Sequence, residues 1–273
     1  MNIDCHAHII DPVRFAFADG PGYRPKPEET GTVEDYEAVL AANRVDHALL
    51  VQPSGYGFDN SAILDAMRRG PGRFRAIAML DASVNDRTLE TLGVAGVVGV
   101  RFNLVSHDRH ALNRPESARF LDRLKEHDWY AQIYADDDQW PRLVPLLRAH
   151  GTKLLIDHFG VRDIAGGTGQ SGFQAVLSLG REERSAVKLS APFRISHAGF
   201  PYRDLDPFAE ALIAAFGPER CIWGSDWPFL DLPRSIRYSD ALAASQRWLP
   251  DRAEREQVLW RTPTRLFGFG AET

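Results

Sequence analysis

The chain has 273 residues, with 37 acidic against 32 basic side chains and a formal net charge of −5. That balance, with no basic stripe, argues against a nucleic-acid partner, and no apolar run approaches the length of a membrane span. Hydrophobic residues make up 44% and charged residues 25%, the proportions of an ordinary soluble globular enzyme rather than a disordered or fibrous chain.

This size suits one α/β domain over 1–273, and no domain boundary, repeat or low-complexity tract interrupts it. Two cysteines occur, Cys5 and Cys221, both inside apolar runs. They read as reduced, buried thiols, and with no leader-like stretch before Asn2 a cytoplasmic location is expected.

Short β-rich runs recur along the whole length. In chain order they are 2–8 (NIDCHAH), 47–52 (HALLVQ), 74–80 (FRAIAML), 97–103 (VVGVRFN), 130–135 (YAQIYA), 153–158 (KLLIDH), 187–191 (VKLSA) and 221–226 (CIWGSD). Most are continuously apolar, as in a parallel sheet covered on both faces. Helix-like stretches lie between them, at 32–44, 59–69, 85–92, 116–127, 139–150, 170–179 and 206–216. The first has a threonine cap and early acids; 85–92 reads as only one or two turns. Eight strands with seven intervening helices and a terminal helical segment predict a single (β/α)₈ TIM barrel, with a doubly wound open sheet as the alternative.

Barrel enzymes keep their chemistry at the C-terminal ends of the strands. There this sequence places His6 and His8, Ser54 and Tyr56, Arg101 and Asn103, Tyr134, His158 and Asp226, with Arg194 just past the seventh strand. Residues i and i+2 share a strand face, so His6 and His8 point together into the mouth and Cys5 points away. One histidine at a strand end is most simply a hydrogen-bonded structural group. Three histidines, two arginines and an aspartate converging on one mouth are costly to bury unless they form a site. His47, His127 and His150 sit at helix ends or strand starts and read as structural. Asp136–Asp138 reads as a helix N-cap with acids in the first turn, and Gly166–Gly172 as a loop too loose for a phosphate cradle.

The words DCHAHIID, VQPSGYGFDN, GVRFN, IDHFG, APFRIS, WGSDWP and TPTRLFGF run in order from residue 4 to residue 269. Together they resemble the amidohydrolase superfamily, its amidohydrolase-2 branch, and within that the group of 2-pyrone-4,6-dicarboxylate lactonases. The resemblance implies a barrel hydrolase with Asp226 as general base. Superfamily members commonly hold divalent metals with the H-x-H pair, further histidines and this aspartate. Here Arg101 and Tyr134 stand where a bridging Lys or Glu and another His would be expected, which matches the lactonase group's metal-free pattern. Where that group has a further loop arginine, this sequence reads NLVSHDRH, with His107 aligned and Arg109 offset.

A metal-independent lactonase is therefore the leading expectation, with no cofactor required. Asp226, flanked by Trp223 and Trp227, would have a raised pKa and deprotonate the water. His6, His8 and His158 would donate to the developing oxyanion, and Arg101 and Arg194 would fork onto carboxylates. Ser54, Tyr56 and Tyr134 would add hydroxyl contacts. The expected substrate is a small anionic lactone: a pyrone dicarboxylate, a muconolactone or a sugar-acid lactone. The alternatives are a hydrolase or decarboxylase with one Zn or Mn ion at His6, His8, His158 and Asp226, a sugar-acid lactone isomerase, and a non-catalytic ligand-binding barrel. Oligomer formation is left open.

Overall fold

A computed structural model describes residues 1–20, 22–232 and 236–270. Eight parallel strands pair in strict chain order: β1 (Ile3–Ala7), β2 (His47–Val51), β3 (Phe74–Ala78), β4 (Val97–Asn103), β5 (Tyr130–Tyr134), β6 (Lys153–Ile156), β7 (Ser185–Ser190) and β8 (Cys221–Gly224). The ring closes past the end of β8. Asp226 N donates to His6 O and His8 N donates to Trp227 O, both at 2.8 Å. The fold is the (β/α)₈ barrel expected, not the open sheet.

Helices lie between successive strands, and two of them start at side-chain caps. Thr32 caps Val33–Ala42 in a reciprocal box with Asp35. Asn85 accepts from Thr88 N and starts Asp86–Val94, a full nine-residue helix where only a turn or two was predicted. A short helix beyond those predicted, Pro192–Ile195, lies in the site-forming loop after β7, and the expected terminal helical segment includes Tyr238–Trp248, after β8. Asp136–Asp138 is not a cap: the helix Trp140–His150 has no side-chain cap, and the acids instead hold the neighbouring loops. Asp136 and Asp138 pair with Arg109, and Asp137 accepts from the backbone of Arg162 and Asp163. Among the described residues, no helix is long and apolar enough to cross a membrane.

The core has two parts, which sets the depth of the site. The larger part lies between strands and helices. The smaller fills the barrel's floor, where Ile3, Leu49, Ile77, Leu155 and Ile222 meet Phe267 and Phe269 from the end of the TPTRLFGF segment. With the floor closed by apolar side chains, polar groups collect only higher up. Cys5 belongs to this inner cluster, contrary to the outward orientation expected from alternation. The register between β1 and β2 shifts between Asp4 and Ala7, and this bulge lets both Cys5 and His6 face inward. Cys221 packs outside the barrel towards Leu212, as expected for a structural thiol; both cysteines are free and buried.

Candidate active site

Three strand ends, those of β1, β6 and β8, bring the catalytic candidates together. Three imidazole Nε2 atoms converge on one oxygen: His6, His8 and His158 lie 3.6, 3.6 and 3.8 Å from Asp226 Oδ1. His158 (φ 49°) and Asp226 (φ 62°) both hold left-handed backbone conformations, strain that tends to concentrate at working sites. β8 can approach β1 this closely because residue 224 is glycine. A Cβ there would lie 2.6 Å from His6 Cβ. Below the turn, the buried Asp4 carboxylate accepts from Ser225 N and Oγ, His6 N, Tyr36 Oη and Tyr238 Oη, and so ties the SD step of WGSDWP to β1.

Each imidazole is oriented from behind. His8 Nδ1 sits 2.7 Å from Val51 O. A carbonyl only accepts, so neutral His8 keeps its proton on Nδ1 and offers the Nε2 lone pair to the cavity. His158 Nδ1 meets Ser190 Oγ at 2.8 Å. His6 Nδ1 lies 3.2 Å from Lys188 Nζ, while its Nε2 has no hydrogen-bond partner. Burial, reinforced by Lys188, pushes the His6 pKa well below the ordinary imidazole value. Burial likewise lowers His158 to about 4 against the pull of Asp226 and Asp157.

Asp226 departs from expectation. Burial works to raise its pKa, but the Arg194 guanidinium outweighs burial and holds it well below the usual carboxylate range. Arg194 Nε donates to Asp226 Oδ2 at 2.5 Å, and its Nη2 donates to Leu230 O at 2.9 Å. The two tryptophans do not desolvate the carboxylate from the cavity side. Trp223 donates to Ala241 O among the helices, and Trp227 stacks on Tyr36.

Above this cluster opens a cavity of about 210 Å³ whose lining includes His8, Ser54, Arg101, Tyr134, His158, Arg194 and Asp226. Arg101 is buried, donates to Gln52 O at 3.2 Å and lies 5.7 Å from the Tyr134 ring centroid. Tyr134 stays a protonated phenol, because burial raises its pKa. Ser54 Oγ accepts from Tyr23 N at 3.2 Å. Tyr56, in contrast, is not in the lining. Its hydroxyl accepts from Asp11 N at 2.9 Å behind the loop, so it holds the loop and does not touch the cavity. Tyr56→Phe is accordingly expected to leave kcat/KM within about twofold and to cost about 1 kcal/mol of stability. Steady-state kinetics and thermal unfolding check both halves.

Residues that strand-end spacing does not reveal complete the site. Arg162, four positions after His158, enters the lining with Tyr23, Ser106 and Asp231, and lies 5.4 Å from the Tyr134 ring centroid. His107 lines a neighbouring cavity of about 240 Å³ instead, with its ring 5.6 Å from Phe58, and Arg109 is turned away to Asp136 and Asp138. Beneath His6 lie Lys188, Gln132 and Asp157, all fully or nearly fully buried. Their signal was visible: a lysine in VKLSA and a glutamine in YAQIYA interrupt strands otherwise buried on both faces. Two triads, His6–His8–Asp226 and His6–Asp157–His158, are compact enough to hold a metal ion.

A closed barrel with strand-end histidines facing a strand-eight aspartate defines a barrel hydrolase site. The chain belongs to the amidohydrolase family, whose model matches residues 3–269. It is 34% identical over 97% of its length to a 4-sulfomuconolactone hydrolase of Rhizobium radiobacter, covering 89% of that protein. It is 31% identical, with the same coverage of both chains, to a 2-pyrone-4,6-dicarboxylate hydrolase of Comamonas testosteroni. A crystal structure from Acinetobacter baumannii, described as a probable 2-pyrone-4,6-dicarboxylic acid hydrolase with citric acid bound, matches with TM-score 0.88 and 30% identity over 98% of this chain and 99% of that one.

Proposed function

We propose that the chain, a lactone hydrolase of the amidohydrolase family, opens a small lactone bearing at least one carboxylate and does so without a metal. The observation that carries this is the convergence of three imidazoles on Asp226 Oδ1 beneath a cavity bordered by Arg101, Arg162 and Arg194. Asp226 Oδ1 and His8 Nε2, 3.6 Å apart, both face the space that an attacking water would enter. Asp226 takes the water proton as the C–O bond forms. His6 and His158 steady the carbonyl oxygen as it gains charge, and collapse of the tetrahedral adduct breaks the ring ester bond. The leaving alkoxide stays tethered in the same product and takes the proton that Asp226 removed from the water, which restores the base. The arginines orient the ring through its carboxylate. Buried, unpaired Cys5 and Cys221 suit a reducing, cytoplasmic setting.

The charges already in place oppose a divalent ion. Lys188 Nζ lies 3.2 Å from both His6 Nδ1 and Asp157 Oδ1, and Arg194 occupies Asp226 Oδ2. A cation on the first triad would sit near Arg194 and one on the second near Lys188, so each would meet a neighbouring basic group. Turnover of carboxylated lactones should therefore survive chelation. A stoichiometric Zn or Mn ion required for turnover would recast His6, His8, His158 and Asp226 as ligands. The screen that tests the function itself is turnover of pyrone dicarboxylate, muconolactones and sugar-acid lactones; no hydrolysis of any of them would overturn it.

The pH profile follows from two depressed values. The working forms are the Asp226 carboxylate and neutral His158, and both persist until the pH approaches about 4. Accordingly, kcat/KM should be level around neutrality and decline only as the pH drops towards about 4. An acid limb centred near pH 6.5 would contradict the burial-lowered His158.

A further inference from the structure

Lys188 is a lysine with no exposed surface, on an inward-facing position of β7, and the reaction as described makes no use of it. Its neighbours leave it little choice of role. Gln132 Nε2 donates to Asp157 Oδ2 at 2.9 Å; a carboxylate only accepts, so the amide oxygen must face Lys188. Lys188 Nζ donates to that oxygen at 2.7 Å and reaches His6 Nδ1 at 3.2 Å. Burial lowers the Lys188 pKa while the Asp157 carboxylate 3.2 Å away works against that loss of charge; as an ammonium Lys188 only donates, which leaves His6 Nδ1 to present its lone pair and puts the imidazole proton on Nε2. Asp157 Oδ1 lies at the same 3.2 Å from His6 Nδ1 and competes with Lys188 for that nitrogen. The other end of the ring supplies the second observation. His6 Nε2 is buried, without a partner, and is aimed at the Asp226 side of the site at 3.6 Å from Oδ1.

We propose that Lys188, held by the Asp157–Gln132 pair, is a positioning residue that fixes His6 in its Nε2–H tautomer, so that His6 presents a ready-made N–H to the lactone carbonyl oxygen. The two neighbouring imidazoles then differ in kind: the carbonyl behind His8 leaves it an acceptor, and the ammonium behind His6 makes it a donor. β7 carries this logic upward in steps of two. Ala186 packs in the floor, Lys188 sets His6, and Ser190 meets His158. Without Lys188, Asp157 Oδ1 is the nearest partner for Nδ1, and the proton would move to that nitrogen. The ring would then turn a lone pair towards the developing oxyanion.

The catalytic half of this inference rests on the lactone-hydrolase reading, but its main test needs no substrate. Long-range ¹H–¹⁵N spectra of histidine-labelled protein report the tautomer of His6, whose signals are assigned by their loss in His6→Asn. Wild type is expected in the Nε2–H form, Lys188→Met in the Nδ1–H form or a mixture, and Lys188→Gln, whose amide can still donate, back in the Nε2–H form. In turnover, Lys188→Met should lower kcat by about 10²-fold, the scale of losing one oxyanion donor, with KM little changed. In a His6→Asn background the same change should cost nothing further, because the effect passes through His6. A wild-type Nδ1–H tautomer would overturn the assignment whatever the enzyme hydrolyses. So would equal kcat losses from Lys188→Met with and without His6. If Lys188→Met does not fold, the wild-type and Lys188→Gln spectra still decide. Absence of turnover on every carboxylated lactone would sink the hydrolase reading and leave the tautomer result standing.

Discussion

Asp226→Asn is expected to lower kcat by about 10²-fold or more while the barrel stays folded. Asparagine has nearly the same shape, and its amide oxygen can still accept from Arg194 Nε, so the guanidinium retains that contact as well as its bond to Leu230 O. What disappears is the acceptor that receives the water proton. The three imidazoles also lose the charge they surround. The carboxylate raises the His158 pKa, so its removal should send that value below about 4 and leave the ring neutral throughout the working range. The surviving turnover should thus be slow and nearly insensitive to pH above that point. Circular dichroism and thermal unfolding separate this from misfolding: a near-normal kcat in a well-folded Asp226→Asn protein would remove Asp226 from the role of base.

The depressed Asp226 pKa shows where sequence reasoning reached its limit. Period-two spacing and apolar runs placed the strands within a few residues and brought His6, His8, His158 and Asp226 to one mouth, because those features are local. The environment of Asp226 is not local. Trp223 and Trp227 are adjacent in sequence yet face the helices, whereas Arg194, 32 residues away, supplies the decisive charge. The bulge in β1 is another such case. Strict alternation sends Cys5 outward, but the register shift after Asp4 turns both Cys5 and His6 inward. Tyr56 failed for a similar reason, since its hydroxyl meets a backbone group 45 residues earlier. Lys188 and Gln132 were legible as polar interruptions in buried strands, but their meaning depends on which strands lie beside them, and only the closed ring supplies that.

Arg101→Ala is expected to cost about 2–5 kcal/mol in transition-state binding of an acid lactone, roughly 30-fold to several thousandfold in kcat/KM. Arg101 is buried, its guanidinium is steadied by Gln52 O, and its Nε lies 3.7 Å from Asp157 Oδ2, so it borders the cavity as a preset fork. If it grips the carboxylate equally in ground and transition states, the loss falls mainly on KM. Lysine should rescue poorly, because one ammonium cannot supply two parallel N–H bonds. The neutral methyl ester is the control: it should be a poor substrate for wild type and should lose little more in Arg101→Ala. Arg194→Ala should behave differently, because Arg194 also grips the base. Removing the guanidinium that holds the Asp226 pKa down lets burial raise it, so the acid limb of kcat should move to higher pH in Arg194→Ala, and further than in Arg101→Ala, where only a smaller push on His158 is lost. Profiles for both variants, on acid and ester, distinguish a residue that reads the substrate from one that also tunes the base. Equal hydrolysis of acid and ester by wild type would show that the arginines do not read a carboxylate.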